Sequence, residues 1–213
     1  MADLVEGRYP VTEEEWLLDG APLPPSRRTI SRRDITTSFA LPATALNVYA
    51  VPVQAGDIFS FVSFLTGTVG GTLTHSWVAV YNGVATGAAL LAQVADNTTA
   101  TGWAATAQKL QLASVVNNVA QPGTPQGAAG GPGSWSLVSA AAAVWGVAVY
   151  QSGTTGNTFD GMTSSNIAGA LALAGQVPLA STGTLSATGT APAVLPTMAA
   201  AVGKVPYLVL SRN

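Results

Sequence analysis

The fold class is decided by the stretch Ile58-Phe59-Ser60-Phe61-Val62-Ser63-Phe64-Leu65, which is rich in β-branched and aromatic residues and shows period-2 patterning. The turn pair Gly56-Asp57 precedes it. A second stretch, Leu73-Thr74-His75-Ser76-Trp77-Val78-Ala79-Val80-Tyr81, ends at Asn82-Gly83, and both residues of that pair tolerate positive φ. Apolar runs of this kind between turn residues predict β-strands.

The same pattern predicts six further strands, at 35–41, 46–53, 89–94, 109–112, 145–150 and 206–210. About eight short strands separated by Gly and Pro turns predict an all-β protein, an antiparallel β-sandwich. A jelly-roll-like form is preferred, and a Greek-key sandwich of the immunoglobulin type is the alternative. The Ala-rich stretches 140–143 and 168–174 are weak helix candidates, and 121–133 and 181–196 are predicted loops.

Composition narrows the function classes. The chain has 213 residues, which suits one domain. Only 8% of its residues are charged, against about 25% in typical proteins. The absence of cysteine excludes a thiol nucleophile and a cysteine zinc site, and a single histidine, His75, excludes sites that need two. A net charge of -2 gives no basis for nucleic-acid binding.

The charges are concentrated at the N-terminus, where residues 1–34 hold 12 of the 18. The other six are Asp57, Asp96, Lys109, Asp160, Lys204 and Arg212. This break predicts an N-terminal attachment arm, 1–34, and a β-sandwich body, 35–213. Because free monomers normally keep more surface charge, much of the body's surface is expected to be buried against sister subunits or a larger assembly. The alternative is a monomer with a Thr-rich surface.

The arm carries a predicted short helix over residues 12–19. Thr12 and Glu15 match a capping box, and Gly20 fits the C′ position. A helix this short is marginal alone, so its apolar group, Trp16-Leu17-Leu18, needs a partner surface. We expect these three residues to dock on another protein, and packing on the chain's own body is the alternative. Ala21 to Pro25 is a predicted extended spacer.

Two five-residue repeats, 26–30 and 31–35, follow the spacer. They bring four arginines, Arg27, Arg28, Arg32 and Arg33. Because arginine grips carboxylates bidentately, these residues are also predicted to dock on a partner, with pairing to Glu13–Glu15 as the alternative. The arm itself is net acidic, so nucleic acid is not an expected partner.

The body offers few candidates for chemistry. His75 lies in a predicted strand and no Gly-x-Ser-x-Gly elbow is present, so we expect a structural histidine and no enzyme. The aspartates are scattered at turns, so no metal or cofactor is expected, and a calcium site built from distant loops is the alternative. Trp103 and Trp135 lie in irregular stretches and are candidate glycan contacts; packing in the core is the alternative.

No segment predicts export or membrane insertion. The start, Met1 to Glu6, is acidic and lacks an apolar region. The longest apolar run, 137–150, is shorter than the ~20 residues of a membrane helix. We therefore expect synthesis in the cytoplasm without a signal peptide, and no membrane partner.

Several stretches together resemble a known class of proteins. They are Gly56–Phe59 through Thr74–Tyr81, Leu90–Asp96, and Trp145–Tyr150 with Gly153–Gly156. The pattern resembles accessory structural proteins of tailed bacteriophages, of the head-decoration, head-fibre or minor-tail type. The Ala/Gly/Thr-rich, Lys-poor composition is similar to that of phages of high-GC hosts. The acidic arm with its arginine pairs looks like the virion-attachment arm of such proteins.

The resemblance implies a jelly-roll-like body, a homotrimer, and attachment to the major capsid or tail proteins at the virion surface, with no catalytic residue. Capsid decoration is favoured, since a short arm and one domain suit a protein added to a finished shell. The alternatives are a minor tail protein, a module that binds host-surface glycans, and a hydrolase that uses His75.

Overall fold

The computed structural model describes residues 26–113, 115–116, 119–120, 137–163, 180–201 and 203–212. Apart from one 3-10 helix, Arg32–Asp34, the regular structure of these residues is entirely strand. The strands are β1 Ser26–Arg28, β2 Thr37–Ala40, β3 Ala45–Val53, β4 Ile58–Phe59, β5 Phe61–Leu65, β6 Gly71–Tyr81, β7 Leu90–Gln93, β8 Ala107–Gln111, β9 Val115–Val116, β10 Val119–Ala120, β11 Leu137–Val138, β12 Ala143–Thr155, β13 Thr158–Thr163, β14 Ala180–Thr184, β15 Ala199–Ala200, β16 Lys204–Pro206 and β17 Leu208–Ser211.

All strand pairs are antiparallel. The central sheet has six strands in the order β15-β14-β3-β12-β6-β7, and a second sheet has four in the order β1-β17-β5-β8. A three-stranded sheet, β16-β13-β2, and the pairs β11-β4 and β10-β9 complete the architecture. The protein is therefore all-β, with several antiparallel sheets, as is consistent with a β-sandwich.

One face of the central sheet is lined by valines. Alternate residues of a strand point to opposite faces, and on this face Val147 lies between Tyr49 and Val80. These side chains share one hydrophobic core with Phe64 and Leu210 of the four-stranded sheet. Full burial of such a side chain stabilises the fold by about 1.5–3 kcal/mol. This core fixes the two sheets against each other.

The opposite face of the central sheet is covered by residues 185–198, which we call the covering segment. Its main-chain carbonyls accept hydrogen bonds from large side chains of the sheet. Trp77 Nε1 donates to Thr188 O at 2.9 Å, and Tyr81 Oη donates to Pro192 O at 2.9 Å. Burial raises the pKa of Tyr81. The predicted loop 181–196 is therefore strand β14 followed by an ordered segment that seals the sheet.

Six of the eight predicted strands are found as single strands at their expected places, with differences at their ends, and the other two are divided. Residues 206–210 are divided at Tyr207, since Lys204–Pro206 pairs with β13 whereas Leu208–Ser211 pairs with β1 and β5. Ile58–Leu65 is divided at Ser60, since Ile58–Phe59 pairs with β11 whereas Phe61–Leu65 pairs with β17 and β8. The weak helix prediction for 140–143 is wrong, since Ala143 begins strand β12. The second one, 168–174, and the loop 121–133 lie outside the described residues.

The arginine repeats were predicted to belong to the arm, yet Ser26–Arg28 forms an edge strand of the four-stranded sheet. Ser26 pairs with Ser211 and Arg28 with Val209. Strand pairing uses the main chain, so polar and charged residues can provide it, and the charge pattern gives no information about it. The charge break between residues 34 and 35 thus lies after the first strand of the structure.

Candidate functional site

The place where the N-terminal segment joins the sheet is fixed by an ion pair. Arg27 Nε lies 2.6 Å from Asp57 Oδ2, and Arg27 Nη2 donates to Asp57 Oδ1 at 3.0 Å. The Gln54 side chain accepts from Arg27 Nη2 at 2.9 Å. This hydrogen bonding lowers the pKa of the Asp57 carboxyl and raises the pKa of Arg27. Arg27 is therefore bound to the chain's own body, contrary to its predicted role on a partner.

The main chain after Arg27 is also fixed to the sheet, by hydrogen bonds between Thr29 and Leu208. Thr29 N donates to Leu208 O at 3.1 Å, and Thr29 Oγ1 accepts from Leu208 N at 3.0 Å. Ser31 then caps the 3-10 helix by accepting from Arg33 N at 3.3 Å. Arg32 and Arg33 are exposed there, whereas Arg28 is half-buried on the sheet. The four predicted docking arginines thus do not form one patch of equivalent residues.

The scarce charges of the body are engaged within the chain. Lys109 Nζ lies 4.5 Å from the centre of the Phe61 ring. Lys204 Nζ donates to Ala40 O at 3.2 Å. Asp57 holds Arg27, Asp160 accepts from Ser38 Oγ, and Asp96 accepts from two groups at His75 and Ser76. Five of the six charged residues between 35 and 213 therefore have partners in their own fold.

His75 is paired with a carboxylate that the sequence analysis did not connect to it. His75 Nδ1 lies 2.6 Å from Asp96 Oδ2, and Asp96 Oδ1 accepts from Ser76 N at 3.0 Å. The hairpin of β6 and β7 places the two residues side by side, since Asn97 N donates to Ser76 O at 2.9 Å. The sequence does not reveal this contact, because the register of β6 with β7 depends on the length of the loop between them, residues 82–89.

The His75–Asp96 pair resembles two members of a Ser–His–Asp triad, so the serine opposite His75 in the sheet is relevant. Ser152 faces His75 across the strands. Ser152 is 1% exposed, and its Oγ lies 2.6 Å from Thr74 Oγ1. A nucleophile needs access to substrate, which Ser152 lacks. The contacts of Asp96 with His75 and Ser76 connect β6 to the segment that follows β7.

Of the two tryptophans predicted as glycan contacts, the structure describes Trp103 but not Trp135. Trp103 is 4% exposed, and its ring contacts Phe64 at 4.9 Å and Phe159 at 5.9 Å between ring centres. Trp103 therefore packs in the core, which was the alternative expectation, and it offers no ring face to a sugar. Trp135 and the apolar group Trp16-Leu17-Leu18 lie outside the described residues.

Two searches of the described residues give negative results. No group of three or more His, Cys, Asp or Glu side chains in this part of the chain is placed to hold a metal ion. No helix in the same residues has the length and apolar character required to cross a membrane.

No protein-family model matches the chain, and no curated protein has a sequence significantly similar to it.

Proposed function

We propose that this protein is a non-catalytic structural component of a tailed-phage virion. In this role its N-terminal arm attaches it to the capsid, and its β-sandwich body is displayed on the virion surface to decorate and stabilise the shell. Attachment to a tail, as a minor tail protein, is the variant of the same role that follows if the arm's partner is a tail protein.

The observation that supports this proposal most directly is the distribution of charge. Residues 35–213 contain six charged residues, and five of them have partners inside the fold. A surface with so little free charge is poorly suited to a solitary soluble domain and well suited to contact with other subunits. The arm, in contrast, holds most of the chain's charge and leads into a sheet edge anchored by Arg27.

The finer features of the proposal are a jelly-roll-like strand arrangement, a short helix over residues 12–19, and a homotrimeric body. Three bodies around an axis would cover much of the uncharged surface of each copy. Light scattering after size exclusion measures the mass of the assembly directly. A trimer agrees with the proposal, and a monomer contradicts the subunit-contact argument.

Attachment is tested in cells that produce the virus. A tagged full-length chain is expressed there, particles are purified on a density gradient, and the chain is expected to migrate with them. A chain that starts at Ser26 is expected to remain in the soluble fraction. Absence of the full-length chain from the particles would contradict the virion role, whereas particle binding by the shortened chain would contradict attachment through the arm.

A further inference from the structure

The row of valines on the core side of the central sheet ends in two polar residues. Val149 lies opposite Val78, and two residues further along the same face Gln151 lies opposite Ser76. Gln151 is 2% exposed and Ser76 is 0% exposed. Two polar side chains therefore lie side by side, enclosed by protein, at the end of an apolar row.

The side-chain amide of Gln151 is oriented by its neighbour Asn157. Asn157 Nδ2 donates to Trp103 O at 2.7 Å and to Thr68 O at 3.2 Å, so Asn157 Oδ1 is the accepting end of that side chain. Asn157 Oδ1 accepts from Gln151 Nε2 at 2.8 Å. The nitrogen of the Gln151 amide is therefore committed to Asn157, and only its oxygen, Oε1, remains for another partner.

Two buried oxygen atoms of this pair have no hydrogen-bond partner among the residues that the structure describes. They are Gln151 Oε1 and Ser76 Oγ, and they form no hydrogen bond with each other. The amide oxygen can only accept a hydrogen bond, whereas the hydroxyl group can also donate one. Because an unpaired buried polar group is costly, native proteins give nearly all such groups a protein or water partner.

The residue next to the amide oxygen is a glycine, Gly156. A Cβ atom at this buried position would lie 2.6 Å from Gln151 Oε1 and 3.7 Å from Leu41 O. Because residue 156 has no side chain, Oε1 is not blocked on this side. Internal waters typically make two to four hydrogen bonds to buried polar groups that have no other partner, and Gln151 Oε1 and Ser76 Oγ are two such groups.

We propose that an ordered water molecule binds between Gln151 and Ser76 as a long-lived part of the fold. The water donates one hydrogen bond to Gln151 Oε1 and accepts one from Ser76 Oγ, which satisfies both groups. It links β12 to β6 through their side chains, close to the point where the register of the two strands shifts at Gly153. The site is independent of the proposed virion role.

A crystal structure of the full-length native chain at atomic resolution tests the site directly. Electron density for a water is expected within about 2.5–3.0 Å of both Gln151 Oε1 and Ser76 Oγ. A direct hydrogen bond between the two side chains would overturn the proposal. Absence of density for a water at both oxygens would overturn it as well.

Oxygen-17 relaxation dispersion counts long-lived internal waters in solution and gives an independent measurement. Ser76→Val replaces the hydroxyl group by methyl groups, so the count is expected to fall by one. Ser63→Val, the same change at a half-buried position of β5, is the control and should leave the count unchanged. An unchanged count in Ser76→Val would contradict the site. If Ser76→Val does not fold, the crystal structure of the native chain still decides the question.

Discussion

Arg27 and Asp57, thirty residues apart, are joined by two hydrogen bonds of 2.6 and 3.0 Å, and this bidentate pair fastens the first strand to the body. The Asp57 side chain is 7% exposed, whereas that of Arg27 is 28% exposed. Gln54 N donates to the same carboxylate at 2.7 Å, so the turn before β4 depends on it too.

Asp57→Asn is expected to lower the free energy of unfolding by about 1–3 kcal/mol at pH 7, because a charge-assisted pair is lost. The lowered pKa of Asp57 sets the pH dependence. Its contribution is complete above the unfolded pKa of about 3.9 and is lost as the pH falls through the lower folded value. The difference from the native protein should therefore shrink in acid.

Denaturant titrations at pH 7 and pH 3 measure this dependence. Asp34→Asn, a change at an exposed residue, serves as the control and should have little effect at either pH. A full-sized stability difference that persists at pH 3 would contradict the role assigned to the ion pair.

Two N-terminal deletions are expected to differ in their effect on thermal stability, although both remove residues of the predicted arm. A chain starting at Ser26 keeps β1 and is expected to unfold at nearly the native temperature. A chain starting at Ile35 loses β1 and leaves the Asp57 carboxylate unpaired, which should cost about 3 kcal/mol or more. Thermal melts of the two chains decide this, and equal melting temperatures would show that β1 contributes nothing.

The covering segment depends on one buried amide side chain. Gln93 is 0% exposed; its Nε2 donates to Gly189 O at 3.2 Å, and its Oε1 accepts from Ala191 N at 2.9 Å. Gln93→Leu leaves both main-chain groups without a partner and should destabilise the protein by about 1–3 kcal/mol. Hydrogen exchange should also become faster at the Ala191 amide. Gln111→Leu, at an exposed position, is the control, and equal effects of both changes would refute the role of Gln93.

Strand β12 has no room for a side chain at Gly146. A Cβ there would lie 2.3 Å from Gly83 O and 2.7 Å from Val48 Cγ1. Gly146→Ala should therefore lower stability by about 1–3 kcal/mol. At Gly71, in β6, no heavy atom lies within 4 Å of such a Cβ, so Gly71→Ala should have little effect on the melting temperature. A neutral Gly146→Ala variant would show that the strands can separate at this point.

The sequence predicts the apolar strands well and the polar ones poorly. Residues 73–81 were found because buried strands need β-branched and aromatic side chains. Thr158–Thr163 was missed, since its Asp-Gly pair is typical of turns, and Ala180–Thr184 was missed, since its residues are small and polar. These strands are stabilised by main-chain pairing with distant partners, which composition does not reveal.

The candidate site also combines features that a local sequence pattern predicts with features that depend on distant parts of the chain. A local pattern predicts that Trp16 needs a partner, and a local pattern also predicts the turn at Asp57. The pairing of Asp57 with Arg27 and of Asp96 with His75 depends on how strands are ordered in the sheets. Trp103 lies in an irregular stretch, yet the chain folds it inward onto Phe64. Irregular backbone is therefore a poor guide to exposure.

The position of β17 has a consequence for biosynthesis. Leu208–Ser211 follows every other strand in the sequence, but it lies between β1 and β5 and pairs with both. During synthesis, β1 has no strand to pair with until residues 208–211 have left the ribosome. A truncated product would lack the strand that joins the N-terminus to the sheet. Only chains synthesised through β17 can therefore hold β1 in the four-stranded sheet.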